Sequence, residues 1–181
     1  MSLSLISKII GESVTLKLNE IAAIMRAKGD PVIHLGGGEP KSQAPIDAIV
    51  AASGLINTGE IRYTPADGIP ALKQAIIRYT EDFYGRVVAP ENVIASSGAK
   101  QAIMVALQAI LNPQEELIYP APYWVSYPDM AKLCGARGVA VVPEDGTFQP
   151  RLQDIEQVVG SYTKAVIINS PNNPSGAVYS E

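Results

Sequence analysis

From residue 92 onward, short apolar runs alternate with amphipathic ones. This alternation constrains the fold more than any other feature of the chain. Residues 92–96 (Asn-Val-Ile-Ala-Ser), 116–119 (Glu-Leu-Ile-Tyr), 138–142 (Gly-Val-Ala-Val-Val) and 164–169 (Lys-Ala-Val-Ile-Ile-Asn) read as strands. Residues 99–111, 123–134 and 152–159 read as the helices between them. Apolar strands separated by helices form βαβ units, whose sheet is mainly parallel and covered on both faces. The expected class is therefore α/β, a three-layer α/β/α core. Ligands of such sheets bind just beyond the carboxyl ends of the strands. That rule singles out residues 97–100 (Ser-Gly-Ala-Lys), 120–124 (Pro-Ala-Pro-Tyr-Trp) and 170–176 (Ser-Pro-Asn-Asn-Pro-Ser-Gly).

Upstream the pattern is looser. Leu18, Ile21, Ala22 and Met25 form a helical stripe within residues 15–28, and Gly29 is a natural stop. Residues 31–35 read as a short strand running into Gly36-Gly37-Gly38, and residues 45–53 as a short helix. Residues 63–68 form a turn-rich loop. Pro70 opens a further helix carrying Leu72, Ala75, Ile76, Tyr79 and Phe83, and Gly85 closes it. The expected division is an arm with part of a second, small domain over residues 1–45, and one α/β domain over residues 46–181.

Composition narrows the function classes. With 181 residues, 47% hydrophobic and 18% charged, the chain can bury a real core. A net charge of −4 without a basic cluster argues against a nucleic-acid partner. Cys134 is the only cysteine and His34 the only histidine, which excludes a disulfide framework and paired-Cys or paired-His metal motifs. No apolar run approaches the length of a membrane span, and a cytoplasmic protein is the default expectation. Four strands make a narrow sheet with an apolar edge, and Glu181 follows a turn signal. The chain accordingly reads as part of a longer protein.

The three loop segments carry the chemistry. At residues 96–101 (Ser-Ser-Gly-Ala-Lys-Gln), Gly98 lets backbone approach an anion, and the helix that follows offers first-turn N–H groups and a positive dipole end. Ser97 and Lys100 add a hydroxyl and a cation, completing a phosphate cup; an ordinary strand-to-helix turn has the same outline. Neither a Walker loop nor a dinucleotide fingerprint is present. Trp124, the only tryptophan, offers a face for a planar ring or simply packs in the core. Asn172 and Asn173 can both donate and accept, so one of them could hold a ring hydroxyl or a carboxylate, although Asn, Pro and Gly also just turn the chain. Gly36-Gly37-Gly38 either presents backbone N–H groups or permits a tight turn. His34 reads as a hydrogen-bonded structural residue, and Cys134 as a filler near a helix end.

Taken in order, five segments resemble the N-terminal part of the class I, fold-type I aminotransferases, close to bacterial aspartate aminotransferases. They are Gly-Gly-Gly38-Glu-Pro, Arg-Tyr63-Thr-Pro-Ala-Asp-Gly-Ile-Pro, Ser-Gly98-Ala-Lys100-Gln-Ala, Pro-Tyr-Trp124-Val-Ser-Tyr-Pro and Asn-Ser-Pro-Asn-Asn173-Pro-Ser-Gly. The resemblance implies pyridoxal 5′-phosphate as cofactor. Gly98, Ala99 and Lys100 would lie at its phosphate, Trp124 on the ring face, and Asn173 at the ring hydroxyl and the substrate carboxylate. Gly38 would offer its N–H to that carboxylate. Tyr63 would reach across a homodimer interface to the partner's phosphate. Ser13, Thr15 and Lys100 resemble positions that contact the distal carboxylate of a dicarboxylic substrate in one subgroup; helix capping accounts for Ser13 and Thr15 equally well. Ala99 departs from the Gly or Ser of many relatives, which removes a hydroxyl but keeps the backbone N–H.

The family's Schiff-base lysine, its acidic partner of the pyridine nitrogen, its Tyr near the ring hydroxyl and its two C-terminal arginines would lie beyond residue 181. No Lys of this chain sits in the matching motif. The expected activity of the whole protein is amino transfer between aspartate or glutamate and a 2-oxo acid, with this chain alone inactive. Carbon–sulfur β-elimination on the same scaffold, and a short non-catalytic binding or assembly protein, are the competing readings.

Overall fold

The computed structural model describes residues 2–38, 40–143 and 146–179. The chain divides into two compact units, Met1–Gly37 with Ile103–Glu181, and Gly38–Ala102.

The first unit is built on a parallel sheet of three strands, β1 (Glu116–Pro120), β2 (Arg137–Val141) and β3 (Thr163–Val166), in the order β2-β1-β3. The α/β class and the parallel sheet expected from the alternation are both found. Every residue of β1 is buried, as befits a central strand covered on both faces. Leu117 and Ile118, which point to opposite faces, are 0% exposed. On the Leu117 face the core gathers Leu107 and Leu111 at the end of α5 (Ala99–Ile110), Tyr119, and Tyr127, Met130 and Ala131 of α6 (Ser126–Leu133). The helix α7 (Leu152–Glu156) precedes β3.

Local chemistry fixes two features of this sheet. At its lower end, Glu116 is buried, takes an ion pair from Arg137 and accepts the Thr163 hydroxyl at 3.4 Å, so all three strands meet at one carboxylate. On the sheet face, the phenol of Tyr119 lies over Gly138. A Cβ there would overlap the Tyr119 hydroxyl and sit 3.1 Å from Cζ. Tyr119 is itself buried and cannot swing away. Gly138→Ala should therefore cost about 1–3 kcal/mol through overpacking. Tyr119→Phe should recover part of that loss in the double variant. Urea midpoints of the four proteins check this, and a Gly138→Ala protein as stable as the parent would contradict the packing described.

The start of α7 carries a pH-dependent contact. Asp154 is buried, accepts the Arg151 backbone N–H at 2.9 Å, and receives the Arg151 guanidinium at 2.6–3.2 Å. Hydrogen bonds from the Arg151 side chain, then from its backbone, hold the carboxyl below its ordinary 3.8. A carboxyl lowered on folding stabilises above its unfolded pKa, and the contribution fades as pH falls through the folded value. Asp154→Asn should therefore lower Tm at neutral pH. The gap to the parent should shrink steadily below about pH 4. A gap of constant size across that range would contradict the linkage.

In the second unit, α3 (Ile46–Thr58) and α4 (Pro70–Tyr84) flank the loop of residues 63–68. Pro70 occupies the first turn of α4, and Gly85 ends it in the left-handed conformation at φ 61°. The loop is tied down by the Ala95 N–H donating to the Asp67 carbonyl at 2.9 Å. The Asp67 carboxylate pairs with Lys73. Gly68 has φ +108°, and a Cβ on it would stand 2.7 Å from that of Ala95, so glycine is required here.

Several expected elements differ. Residues 92–96 are not a strand: Pro90–Asn92 forms a 3-10 turn, and no ladder partner for the following extended residues is found among the described residues. Residues 31–35 likewise stay outside the sheet, with Ile33 and Leu35 exposed, and His34 instead bonds Asn19 at 2.5 Å. An apolar run supplies one side of a ladder only, and pairing needs a second chain segment. The sheet of the described residues thus has three strands rather than four. The helix α1 (Leu5–Ile9), capped by Ser4, was not expected. Helix α2 (Val14–Ala27) matches its stripe within a residue, whereas α3 continues through Gly54 until Gly59 turns left-handed at φ 69°.

Candidate functional site

The strand order reverses at β1: β2 lies on one side of it and β3, reached through α7, on the other. Crevices at such reversals, beyond the carboxyl ends of the strands, are where open α/β sheets bind ligands. The loops leaving β1 and β3 carry Trp124 and Asn173, so both lie at that end of the sheet.

Trp124 precedes α6 rather than opening it, and Tyr127 N–H donates to its carbonyl at 3.1 Å. Its indole is half-buried and meets the Tyr127 ring edge-on, with centroids 5.5 Å apart. Tyr127 in turn meets Tyr119, which contacts Tyr123 edge-on, and Trp124 packs against that core cluster. Burial, then the neighbouring Tyr123 and Asp129, pushes the Tyr119 phenol up to about 12, and burial raises Tyr127 as well. Both phenols stay protonated at neutral pH and serve as packing surfaces, not bases. Cys134, half-buried at the end of α6, is also raised by burial, which makes it a filler rather than a nucleophile.

Most of the bonds that hold the loop after β3 lie within it. Asn169 Oδ1 accepts the Asn173 N–H at 3.0 Å, and Asn169 Nδ2 donates to the Pro171 carbonyl at 3.2 Å. Tyr179 N–H donates to Ser170 Oγ at 2.9 Å, and Gly176 N–H to the Asn172 carbonyl at 2.8 Å. Within this closed loop Asn173 is exposed, and among the described residues nothing bonds its carboxamide. A rigid loop that presents one uncommitted amide suits recognition of a group that both accepts and donates.

Of the remaining expected residues, Gly98, Ala99 and Lys100 stand at the N-terminus of α5. Gly98 has φ +84° with open space where a Cβ would be. The first bond of the helix ladder is Ala102 N–H to the Gly98 carbonyl at 3.2 Å, and the Gly98 N–H itself donates to the Ser96 carbonyl at 2.8 Å. Gln101 was not given a role from the sequence. Its Oε1 accepts the Ser97 N–H at 2.5 Å and closes the turn that presents Gly98. Tyr63 is fully exposed in its loop, and Gly38 is exposed with nothing within 4 Å of its missing Cβ. Ser13 occupies the N-cap position of α2 without a side-chain cap bond, and Thr15 is half-buried in its first turn.

The family model for aminotransferase class I and II matches residues 30–181. The chain belongs to the class I and II aminotransferases. The aspartate aminotransferase of Geobacillus stearothermophilus is 42% identical over 168 residues, covering 92% of this chain and 43% of that protein. Among solved structures, the Thermus thermophilus aspartate aminotransferase with maleate superposes at a TM-score of 0.93 and 36% identity. It covers 100% of this chain and 48% of its own. An alanine aminotransferase from Pyrococcus furiosus gives 0.90 at 27% identity, covering 99% and 47%. The chain thus spans less than half the length of these relatives. Class I and II aminotransferases are enzymes of pyridoxal 5′-phosphate, and the residues present suit that group. An open glycine turn precedes helix N–H groups, a half-buried indole offers a ring surface, and an exposed amide is uncommitted.

Proposed function

We propose that the whole protein is a pyridoxal 5′-phosphate-dependent aminotransferase exchanging an amino group between aspartate or glutamate and a 2-oxo acid. The observation that carries this reading is the uncommitted carboxamide of Asn173 in the loop after β3, at the same end of the sheet as the loop that carries Trp124, in a chain of this family. The names of the aspartate aminotransferase relatives and the dicarboxylate maleate in one of them support the substrate class. In this reading residues 1–45 are an arm and part of a small domain, and residues 46–181 the first portion of the cofactor domain. The working form is a cytoplasmic homodimer, with Tyr63 serving the partner's phosphate.

The cofactor, when bound, supplies an electron sink for bond changes at the amino acid α-carbon. The chain's own residues hold and orient. Gly98, Ala99 and Lys100 lie at the phosphate: Gly98 leaves room for it, the start of α5 faces it, and Lys100 supplies a cation. Trp124 covers a ring face and keeps water from it. Asn173 holds the ring hydroxyl and the substrate carboxylate, and the Gly38 N–H takes the same carboxylate. Ser13, Thr15 and Lys100 are assigned to the distal carboxylate, where a lysine acts as a point charge.

The test is turnover of the purified whole protein with aspartate and with alanine, using 2-oxoglutarate or oxaloacetate as acceptor. Lys100→Ala should lower aspartate activity roughly tenfold more than alanine activity, the loss of one charge-assisted contact. Equal proportional losses would confine Lys100 to the phosphate and remove the dicarboxylate assignment. Release of ammonia and a thiol from cysteine-type substrates, without amino transfer, would point to β-elimination instead.

A further inference from the structure

Asn172, the neighbour of the residue assigned to the cofactor ring, is the least exposed polar residue of its loop, at 6%. Its Nδ2 donates to two acceptors, Ser175 Oγ within the loop and the Pro122 carbonyl in the loop after β1, both at 2.8 Å. A carbonyl oxygen can only accept, so the orientation of this amide is fixed by its partner. The backbone of Asn172 is held as well: its N–H donates to Ala177 and its carbonyl accepts from Gly176, each at 2.8 Å. Ser175 Oγ in turn accepts the Ala177 N–H at 3.2 Å.

One side chain therefore joins the two loops that carry the ring-face and ring-hydroxyl residues. Pro122 stands two residues before Trp124, and Asn172 one before Asn173. The other bonds of the segment, Asn169 to Asn173 and Ser170 to Tyr179 within it and Gln149 to the Val178 carbonyl at its far end, do not reach the loop after β1. Asn172 alone in this set crosses between them.

We infer that Asn172 is a positioning residue, which sets the placement of the Asn173 carboxamide against the Trp124 ring. The inference rests on the proposed function, because it presumes that both act on one cofactor. Asn172→Ala removes the bridge. Asn172→Asp keeps the volume and sets a carboxylate oxygen against the Pro122 carbonyl, so the bridge is lost with little change in packing.

The experiment reads pyridoxal 5′-phosphate affinity and the pH midpoint of its visible absorption band in the whole protein. The proteins compared are the parent, both Asn172 variants, Asn173→Ala and the Asn172→Ala/Asn173→Ala double variant. Far-ultraviolet circular dichroism confirms that each is folded, and Asn172→Asp takes the place of Asn172→Ala, singly and in the double variant, if the alanine proteins are not. Misplacing a contact group by a fraction of an ångström should weaken affinity roughly tenfold. The midpoint should move in the direction set by Asn173→Ala. In the Asn173→Ala background, Asn172→Ala should add almost nothing, because it acts through that residue. A purely structural role would lower Tm while leaving the midpoint at the parent value, and that result overturns the inference. Additive losses in the double variant overturn it too. If the parent takes up no cofactor, the functional reading fails and this inference with it. If the parent binds and the Asn172 variants match it, the inference alone fails.

Discussion

Leu117→Ala should be among the most destabilising single truncations in the chain, lowering stability by about 2–5 kcal/mol. The residue sits in the central strand, fully buried, within the cluster that joins α5, α6 and the sheet. Truncation removes the transfer free energy of three carbons and leaves a cavity whose walls come from several elements at once. The neighbours belong to a β-ladder on both sides, Gly138 and Ala165 being its register partners, so the backbone has little room to close in. Urea denaturation checks this through a shifted midpoint at unchanged slope. A loss below about 1 kcal/mol would show that the site collapses freely and that β1 is not the rigid centre of the core.

Gly98→Ala should separate fold from ligand binding. At φ +84° an alanine carries a backbone cost of about 1–2 kcal/mol, but the new methyl meets no protein atom within 4 Å. The chain should therefore fold with a modest drop in Tm. In the proposed cup that methyl would crowd the glycine backbone where a phosphate group is taken. Affinity for pyridoxal 5′-phosphate, read by equilibrium dialysis, should fall by roughly tenfold to a hundredfold, as expected when close backbone approach to an anion is blocked. An unchanged affinity together with the lowered Tm would reduce Gly98 to a turn residue and leave the cup without a role.

Elements whose signals are local were legible in the sequence. Pro70 and Gly85 bracket α4 because one ring tolerates only a first helical turn and one missing Cβ permits a left-handed exit. The three later strands were recognisable because each apolar run is separated from the next by a helical stretch, which leaves parallel pairing as the economical solution. Residues 31–35 and 92–96 have the same apolar character and were misread, since pairing depends on a distant partner that composition does not reveal. The site shows the same split. Gly98, Trp124 and Asn173 stood out by residue type, and Trp124 and Asn173 also by their place after a strand, whereas the strand expected before Gly98 is absent. Gln101 did not, and Asn172 was marked as a ligand contact rather than as the bridge between loops that its bonds make it. Gln101 reaches back four residues to Ser97, a spacing that could have suggested it, whereas the bond from Asn172 to Pro122 spans fifty residues and leaves no local trace.

The phenol of Tyr119 resting on bare backbone at Gly138 also bears on which sheets this sequence refuses to form. Sliding β2 by one residue against β1 would turn its apolar side outward, a penalty common to any half-covered strand. Sliding it by two keeps the faces and would ordinarily be the tempting error. In that case Ala136 or Ala140 would stand where Gly138 now does, and each brings a methyl under a ring that has nowhere to go. The glycine thus acts as a keyhole: the sheet closes around the aromatic ring in one register, and the near-misses are excluded by contact rather than by a stronger bond elsewhere.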